Sequence, residues 1–329
     1  MAETIAETAA AAERASERLE GRIVRTPVKA YAPLAAATGA DVQLKLENLQ
    51  HTGSFKLRGA LNRLLTLDPG VRSRGVVVAS SGNHGAASAR AMRDLGVDGL
   101  VVVPESVSPV KLDAIRTAGA EVLLHGADGL QSERHARELA ERQGLYYLSP
   151  YNDPEVIAGQ GSIGVELREQ LPELDVAVIA VGGGGLLAGT ASVLKSANPD
   201  IRIVAAQPEA SPVMTRSVEA GRIVSVPETP TLSDGTAGGI EEGAITFELV
   251  AALCDDFVLV SEFEIAMAMT QFAAAEASFI EGAAAVPLAA ILKLADELDG
   301  LQVMALICGG NVAAETTERA LAMAGIVRT

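Results

Sequence analysis

The fold class can be inferred from one stretch, Val176-Ala-Val-Ile-Ala-Val-Gly-Gly-Gly-Gly-Leu-Leu-Ala-Gly189. Its first six residues are an unbroken apolar run rich in β-branched side chains, which predicts a strand buried on both faces of a sheet. Four consecutive glycines then precede a predicted helix over 186–197, and another apolar strand is predicted over 201–206. Strand, glycine turn and helix in this order indicate an α/β fold with a mostly parallel sheet.

The glycine run is also a candidate anion site, because backbone N–H groups converge there at the positive end of a helix dipole. A tight turn without a ligand is the alternative. The loose dinucleotide pattern Gly183-x-Gly185-x-x-Ala188 requires an acidic residue about twenty positions later to hold a ribose, and Gln207 stands there instead. No Gly-Lys-Ser/Thr sequence follows, so a nucleotide triphosphate loop is excluded. A nucleotide-binding oxidoreductase or a non-catalytic binding protein is therefore a poor fit.

Apolar strands alternate with helices on both sides of this stretch. Further strands are predicted over 42–46, 75–79, 100–103, 121–124, 257–260 and 302–307. The alternation breaks near Pro150, Asn152, Asp153 and Pro154, which predicts a boundary between two lobes, each a mostly parallel sheet covered by helices. The stretch 225–243 is rich in Pro, Thr and Gly and is predicted to form a long ordered loop.

The composition of the chain limits the kinds of molecule that it is expected to bind. The chain has 329 residues and a net charge of −16, which argues against nucleic acid or an anionic membrane surface. Its two cysteines do not form a disulfide framework, so a reducing cytoplasm is the default expectation. The first twenty residues predict an acidic amphipathic helix and not a signal peptide, and no apolar run is long enough to span a membrane.

The second informative stretch is His51-Thr-Gly-Ser-Phe-Lys-Leu-Arg-Gly-Ala60. Ser54 is a typical helix N-cap residue, and the pattern predicts a helix over 55–65. Lys56 would lie in its first turn, where the helix dipole disfavours a cation and lowers the pKa of the amine. An amine of this kind can attack a carbonyl. A solvated surface lysine is the alternative.

Two further loops follow predicted strands. Ser80-Ser-Gly-Asn-His84 lies between a strand and a helix, where amides and hydroxyls can bind a carboxylate, although an ordinary turn has the same composition. Cys308-Gly-Gly-Asn311 follows the last strand. Loops at the carboxyl ends of parallel strands converge on one crevice. One lysine, one phosphate cradle and one carboxylate nest suggest a phosphorylated aldehyde cofactor and an amino acid substrate.

These four motifs occur in the order found in serine/threonine dehydratases. From about Arg25 onward the chain resembles a fold-type II pyridoxal-phosphate enzyme of the threonine dehydratase and serine racemase family. The resemblance implies a two-lobed fold like that of the tryptophan synthase β chain. It implies a large cofactor-binding domain over 1–51 and 152–329 and a small mobile substrate-side domain over 52–151. It also implies a cytoplasmic homodimer that converts L-threonine, L-serine or a related β-hydroxy amino acid to a 2-oxo acid and ammonia.

The resemblance further implies a role for each motif residue. Lys56 would bind the aldehyde carbon of the cofactor covalently, with Phe55 beside the ring. Asn83 would hydrogen-bond the ring hydroxyl of the cofactor, and Cys308 would face the pyridine nitrogen. A neutral partner at that nitrogen weakens the electron sink and favours prompt loss of a β-hydroxyl over transamination. The cofactor phosphate would be bound by the amides of Gly182, Gly183, Gly184 and Gly185. The substrate carboxylate would be surrounded by Ser80, Ser81, Gly82 and His84.

Glu281 matches an acidic residue that lies near the cofactor in this family, although a carboxylate at a helix start has the same sequence signature. Ser81 leaves open a racemase, because a second acid or base opposite Lys56 would serve both faces of the substrate. The loop 233–239 departs from the usual dehydratase sequence and resembles relatives that act on bulkier substrates, such as hydroxyectoine-derived amino acids or 3-hydroxyaspartate.

The sequence predicts that no metal is bound. Cation-activated family members place two carboxylates just after the strand that ends at 206. Gln207 and Val213 stand at those positions here, and Glu209 is the one carboxylate between Pro208 and Pro212. Mg²⁺ and Ca²⁺ need several oxygen ligands, commonly including carboxylates. Neither cation is therefore expected to bind at this loop.

Overall fold

The chain forms two α/β lobes, each built on its own parallel or mostly parallel sheet. The structure is a computed structural model that describes residues 1–227 and 229–326. The strands of the described residues are β1 (Val28–Ala30), β2 (Asp41–Leu46), β3 (Val76–Ala79), β4 (Gly99–Val103), β5 (Glu121–Leu124), β6 (Tyr146–Tyr147), β7 (Val176–Ala180), β8 (Arg202–Pro208), β9 (Asp256–Val260) and β10 (Gln302–Ile307).

Helices cover both sheets. Those of the described residues are α1 (Ala2–Leu19), α2 (Ala32–Thr38), α3 (Lys56–Thr66), α4 (Pro69–Arg72), α5 (Asn83–Leu95), α6 (Pro109–Thr117), α7 (Gly129–Gln143), α8 (Pro154–Gln170), α9 (Gly185–Ala197), α10 (Val213–Glu219), α11 (Ile245–Leu253), α12 (Glu262–Glu276), α13 (Gly282–Lys293) and α14 (Ala314–Met323). Within the described part of the chain, no helix has the length and apolar character needed to cross a membrane.

The larger sheet has six strands in the order β1-β2-β10-β7-β8-β9. Only β1 is antiparallel to its neighbour, and β10 pairs in parallel with both β2 and β7. The central strands β7 and β10 are almost fully buried, as expected where helices cover both faces of a parallel sheet. The parallel strands of this sheet therefore end at one edge, where the glycine turn after β7 and the Cys308 loop after β10 lie together.

The smaller sheet has four parallel strands in the order β5-β4-β3-β6. All four lie between residues 76 and 147, whereas the strands of the larger sheet lie at 28–46 and 176–307. The fold-type II architecture predicted from the sequence agrees with this arrangement of two helix-covered sheets. The domain boundaries at 51/52 and 151/152 and the mobility of the smaller domain stay predictions.

Helix α8 lies at the centre of the molecule and contacts α1, α3 and α9. Glycines on different faces of α8 permit these close approaches. A Cβ atom on Gly159 would lie 2.6 Å from the Cα atom of Gly59 in α3, and a Cβ atom on Gly164 would lie 2.7 Å from the carbonyl oxygen of Thr190 in α9. Any larger side chain at these positions would push the neighbouring helix away.

The predicted start of the lysine helix is corrected by the structure. Helix α3 begins at Lys56 and its N-cap is Phe55, whose φ of −57° and ψ of −22° are already helical. The backbone of Ser54 instead forms a bridge with Gly309, and the amide of Phe55 donates to the carbonyl oxygen of Cys308 at 3.0 Å. Because this pairing fixes the backbone, the buried Ser54 hydroxyl does not cap the helix and lacks a partner among the described residues.

Candidate active site

The sequence motifs meet at one large cavity between the two lobes. The cavity has a volume of about 1390 Å³ and lies at the carboxyl ends of the strands, where α/β proteins bind ligands. All of the predicted site residues line it: Phe55, Lys56, Ser80, Ser81, Gly82, Asn83, His84, Gly182, Gly183, Gly184, Gly185, Glu281 and Cys308. The structure thus brings the predicted residues together, while the role of each one stays a prediction.

Lys56 is the first residue of α3 and its side chain is half-buried at the floor of the cavity. Its Nζ donates a hydrogen bond to the carbonyl oxygen of Pro150 at 3.0 Å. Burial lowers the pKa of Lys56 to about 8, against the opposing influence of Cys308 and Glu281. About a tenth of the amine is therefore neutral at pH 7 and about half at pH 8, and the neutral form is what a nucleophile or base requires.

The glycine turn begins α9 and contains backbone that only glycine adopts readily. Gly184 is the N-cap with a φ of +88°, and a Cβ atom on Gly183 would lie 2.4 Å from the ring of Tyr151. The amides of Gly183, Gly184 and Gly185 donate no hydrogen bond to any described residue. These unpaired donors at the positive end of a helix form a fitting cradle for a phosphate group.

A second set of donors lies at the start of α5, whose N-cap is Gly82. Ser80 and Ser81 are half-buried, and the hydroxyl of Ser80 accepts a hydrogen bond from the amide of Gly82 at 3.2 Å. His84 differs from its neighbours because its ring is buried and its Nε2 donates to the carbonyl oxygen of Leu148 at 3.0 Å. Burial, together with the positive charge of Lys56, lowers the pKa of His84 to about 3, so the ring is neutral.

Asn83 connects two walls of the cavity. Its Nδ2 donates to Glu281 Oε2 at 2.8 Å, and its Oδ1 accepts from Asn311 Nδ2 at 2.7 Å. These two contacts fix the orientation of the Asn83 amide. Burial raises the pKa of Glu281 to about 7, against the opposing influence of the hydrogen bond from Asn83. Glu281 is thus more than a carboxylate at a helix start, since it holds a residue that lines the cavity.

Cys308 lies at the end of β10 and is buried. Its Sγ lies 3.5 Å from Glu281 Oε1, which can accept a hydrogen bond from the thiol. Burial first, and then the charge of Glu281, raise the pKa of Cys308 well above its usual value. The group at this position is therefore a neutral thiol and not a thiolate.

The sequence did not identify two residues that shape the site. The ring of Tyr151 packs against the glycine turn, and its hydroxyl accepts a hydrogen bond from the amide of Glu241 at 3.0 Å. Asn311 was part of a recognised motif, but its contact with Asn83 was not predicted. The position of Tyr151 within the predicted lobe boundary was the available signal, because lobe boundaries in α/β proteins commonly border a ligand cleft.

The loop after β8, where the sequence predicts that no metal is bound, makes other contacts. Gln207 Oε1 accepts hydrogen bonds from the amide and the hydroxyl of Thr215 at 2.8 and 2.7 Å, and Val213 is buried. Glu209 is exposed, with Oε1 3.7 Å from Lys293 Nζ. No group of three or more His, Cys, Asp or Glu residues within 1–227 and 229–326 could hold a metal ion. That the chain binds no divalent cation stays a prediction.

The comparisons with known proteins agree with this site. The family model described as "Pyridoxal-phosphate dependent enzyme" matches residues 19–309. L-threonine ammonia-lyase of Thermotoga maritima is 39% identical over 307 residues, which are 93% of this chain and 76% of that protein.

Solved structures give the same result. The processed form of threonine deaminase isoform 2 from Solanum lycopersicum superposes with a TM-score of 0.89 and 32% identity, covering 92% of this chain and 89% of that one. Serine racemase from Dictyostelium discoideum superposes with a TM-score of 0.86 and 39% identity, covering 93% and 98%. The chain therefore belongs to the fold-type II family of pyridoxal-phosphate dependent enzymes, and pyridoxal phosphate is its cofactor.

Proposed function

We propose that this enzyme is an ammonia-lyase that dehydrates L-threonine, L-serine or a related β-hydroxy amino acid to a 2-oxo acid and ammonia. One observation carries the proposal: the amine of Lys56, the unpaired amides of the glycine turn and the N-terminus of α5 open on the same cavity. An amine, a phosphate cradle and a carboxylate nest are the groups that a phosphorylated aldehyde and an amino acid need. The names of the similar proteins, a threonine ammonia-lyase and a threonine deaminase, support this substrate class.

The geometry supports a set of residues that would hold the cofactor. The amides of Gly182 to Gly185 would bind its phosphate, and Phe55 would pack beside its ring. Asn83 would hydrogen-bond the ring hydroxyl, and the contacts of its Nδ2 with both oxygens of Glu281 would hold its amide in place. The neutral thiol of Cys308 would face the ring nitrogen. When bound, the cofactor supplies an aldehyde that links to an amine and a conjugated ring that withdraws electrons from the substrate Cα.

Lys56 would move the proton in this reaction. Its lowered pKa leaves the amine partly neutral, so that Nζ can accept the proton of the substrate Cα. The carbonyl oxygen of Pro150 accepts a hydrogen bond from Nζ and so limits where the amine can lie. The chemistry would then end with loss of the β-hydroxyl as water and hydrolytic release of ammonia and the 2-oxo acid.

The substrate carboxylate would bind at the start of α5. Ser80 and Ser81 offer hydroxyls there, and the amides of the first helical turn, including that of His84, offer N–H donors. The amide of Gly82 donates to Ser80 Oγ at 3.2 Å and so holds the loop beside this site. The ring of His84 is already used on the backbone of Leu148, so we propose that His84 contributes through its main chain. The predicted substrate contact of His84 is thus assigned to its amide.

The absorption spectrum of the purified protein tests the assignment of Lys56. A visible band that forms with pyridoxal phosphate and is absent from Lys56→Ala supports it, whereas an equal band in the variant would overturn it. Release of 2-oxo acid should then be measured with serine, threonine, 3-hydroxyaspartate, phenylserine and hydroxyectoine-derived amino acids. A cofactor-loaded protein that releases no 2-oxo acid from any of them would overturn the proposed reaction.

A racemase is the second candidate, because Ser81 lines the cavity and one structural neighbour is named serine racemase. Racemisation needs an acid or base on each face of the substrate, and Ser81 would serve the face opposite Lys56. Chiral chromatography of L-serine reactions tests this. Loss of D-serine formation in Ser81→Ala with continued ammonia release would separate the two activities, and no D-serine from the unaltered enzyme would exclude the racemase.

We further propose that 52–151 acts as a small mobile domain on the substrate side and that 1–51 and 152–329 form the large cofactor-binding domain. Hydrogen exchange with and without substrate would test the mobility. We also propose a homodimer, the commonest closed assembly of enzymes, in the cytoplasm and without a bound divalent cation. Light scattering during gel filtration would give the mass of the assembly.

A further inference from the structure

Helix α3 has two faces of opposite character. Leu57, Leu61 and Leu64 lie on one face and pack into the apolar core of the smaller lobe. Arg58 and Asn62 lie one turn apart on the other face, and both are fully buried. Their partners all belong to segments outside 52–151. The turns of α3 nearest Lys56 therefore have apolar contacts with the smaller lobe and polar contacts with the larger one.

Arg58 makes the strongest of these polar contacts. Its Nε and Nη2 donate to the two carboxylate oxygens of Glu47 at 2.8 and 2.7 Å, a bidentate pair. Its Nη1 donates to Glu166 Oε1 at 2.7 Å and to Ser162 Oγ at 3.0 Å, both on α8. A guanidinium held by two carboxylates at fixed angles resists both translation and rotation of its helix.

The charges around Arg58 balance. Glu166 also accepts from Lys45 Nζ at 2.5 Å, and Glu47 also accepts from the hydroxyl of Thr26. Two buried cations thus meet two buried carboxylates, and each carboxylate contacts Arg58. Lys45 belongs to the same cluster but lies on β2, away from the lysine helix.

Two further contacts hold α3 against α8 at successive turns. The amide of Gly59 donates to Gln160 Oε1 at 3.1 Å, and Asn62 Nδ2 donates to the carbonyl oxygen of Glu155 at 2.7 Å. As the residue number rises along α3, the partner number falls along α8, so the helices run antiparallel and every polar pair opposes sliding. One polar pair joins α3 to the smaller lobe: Arg63 Nε, near the far end of the helix from Lys56, donates to the hydroxyl of Tyr146 in β6 at 2.7 Å and also lies 2.9 Å from Asp153 Oδ2 at the start of α8.

We propose that Arg58 is a positioning residue for Lys56: it holds α3 to the large lobe, so that Lys56 keeps its place over the glycine turn and Cys308. The smaller lobe would then move against the apolar face of α3, and the lysine helix would not move with it. This inference rests on Lys56 being the residue that binds the cofactor. It also divides the proposed domain 52–151, because α3 would remain with the larger lobe.

The surroundings of Lys56 make its displacement measurable. Lys56 faces Cys308 after β10, Glu281 before α13 and His84 in α5, and its Nζ contacts the carbonyl oxygen of Pro150. These groups and the burial of the amine set its titration. A lysine that shifts toward solvent would regain hydration, and its titration would move back toward the ordinary value near 10.5.

The test measures how fast the apo chain captures pyridoxal phosphate at different pH values. The growth of the visible absorption band reports the rate of capture. The rate depends on the neutral fraction of Lys56. We expect Arg58→Met to raise the midpoint of the pH–rate profile by about one unit, which is about a fivefold slower capture at pH 8 and nearly tenfold at pH 7. Arg58→Lys keeps the charge but not the bidentate geometry, and we expect a smaller shift in the same direction.

Lys45→Met is the matched control, because it removes a cation from the same buried cluster without touching α3. We expect it to lower the melting temperature as Arg58→Met does and to leave the midpoint unchanged. The proposal would be overturned if Arg58→Met had the same midpoint as the unaltered chain, or if Lys45→Met shifted the midpoint as much as Arg58→Met. Arg58 would then have a structural role only.

Glu47→Gln provides a further variant if Arg58→Met does not fold, since it weakens the bidentate pair from the other side. A raised midpoint in Glu47→Gln or Arg58→Lys supports the proposal. Failure of all three to fold while Lys45→Met folds would overturn it. A failure of the proposed reaction can be told apart from a failure of this inference. An unaltered chain that captures the cofactor but releases no 2-oxo acid would contradict the reaction and would leave the position of Lys56 untouched.

Discussion

The change of Gly183 to alanine tests the glycine turn. The added Cβ would lie 2.4, 2.5 and 2.7 Å from three ring atoms of Tyr151. Carbon atoms prefer separations of about 3.5–4.0 Å, so the ring or the turn must move by about 1 Å. The ring cannot move freely, because its hydroxyl accepts a hydrogen bond from the amide of Glu241 and its Cβ lies against Gly185.

Overpacking of this kind costs about 1–3 kcal/mol. Because the turn is the proposed phosphate cradle, we expect much of this strain to appear as lost cofactor affinity. At 1.4 kcal/mol for each factor of ten, the dissociation constant of pyridoxal phosphate should rise by about 5- to 100-fold. Titration of the apo protein with pyridoxal phosphate, followed by absorbance, measures this change.

Gly239→Ala is the matched control, because Gly239 lines the same cavity but an added Cβ would have no heavy atom within 4 Å. We expect its cofactor affinity to match that of the unaltered chain. The double variant Gly183→Ala with Tyr151→Leu removes the colliding ring and should recover part of the affinity. Unchanged affinity in Gly183→Ala, or an equal loss in Gly239→Ala, would refute this account of the turn.

Three further results are expected. The pKa of Glu281 is raised from 4.5 to about 7, so between these pH values the folded state binds a proton that the unfolded state does not, and stability is lost as the pH rises through 7. Glu281→Gln should therefore remove the decrease of the melting temperature over this pH range. An unchanged decrease in the variant would contradict the assignment. Lys45→Met should lower the free energy of unfolding by about 3 kcal/mol in urea titrations, because it removes one cation from a buried cluster. EDTA followed by Mg²⁺ or Ca²⁺ should leave activity unchanged, because Gln207 and Val213 offer no carboxylate; a several-fold recovery would show that the loop binds a cation.

Most strands of the two sheets could be predicted from the sequence, because buried parallel strands are unbroken apolar runs. The bounds predicted for β5 and β10, 121–124 and 302–307, are those found. Strands β1 and β6 were missed, since three and two residues are too few to show a period. The stretch 225–243 contains no helix or strand among its described residues, which agrees with the predicted loop.

The cavity could be predicted because its walls are loops of small residues at strand ends, and loop composition is visible in the sequence. The contacts within it could not. Asn83 and Glu281 are 198 residues apart, and neither carries a local signal that it will meet the other. The error at Ser54 has the same origin, since a residue suited to capping was instead paired with Gly309, far along the chain.

The buried charge cluster shows the limit of sequence reasoning most clearly. Lys45, Glu47, Arg58 and Glu166 belong to residue types that are mostly exposed, so each alone predicts a solvated side chain. Their burial becomes acceptable only as a set, because each charge is compensated by another. Arg58 and Glu166 are 108 residues apart, and a single sequence does not show that they meet. Residues of this kind have to be identified in the structure.

The electrostatics of the site explain how a chain of net charge −16 can bind an anionic cofactor and an anionic substrate. Burial shifts the pKa values of Lys56, His84, Glu281 and Cys308 toward their uncharged forms, so His84 and Cys308 are neutral near pH 7, while Lys56 is still mostly cationic and Glu281 is partly ionised. The amide donors at the N-termini of α5 and α9 add positive potential, because helix dipoles are positive at that end. Backbone dipoles at these two helix termini therefore contribute to the attraction for phosphate and carboxylate, together with the cationic side chains of Arg90, Arg93 and Lys111 that line the same cavity.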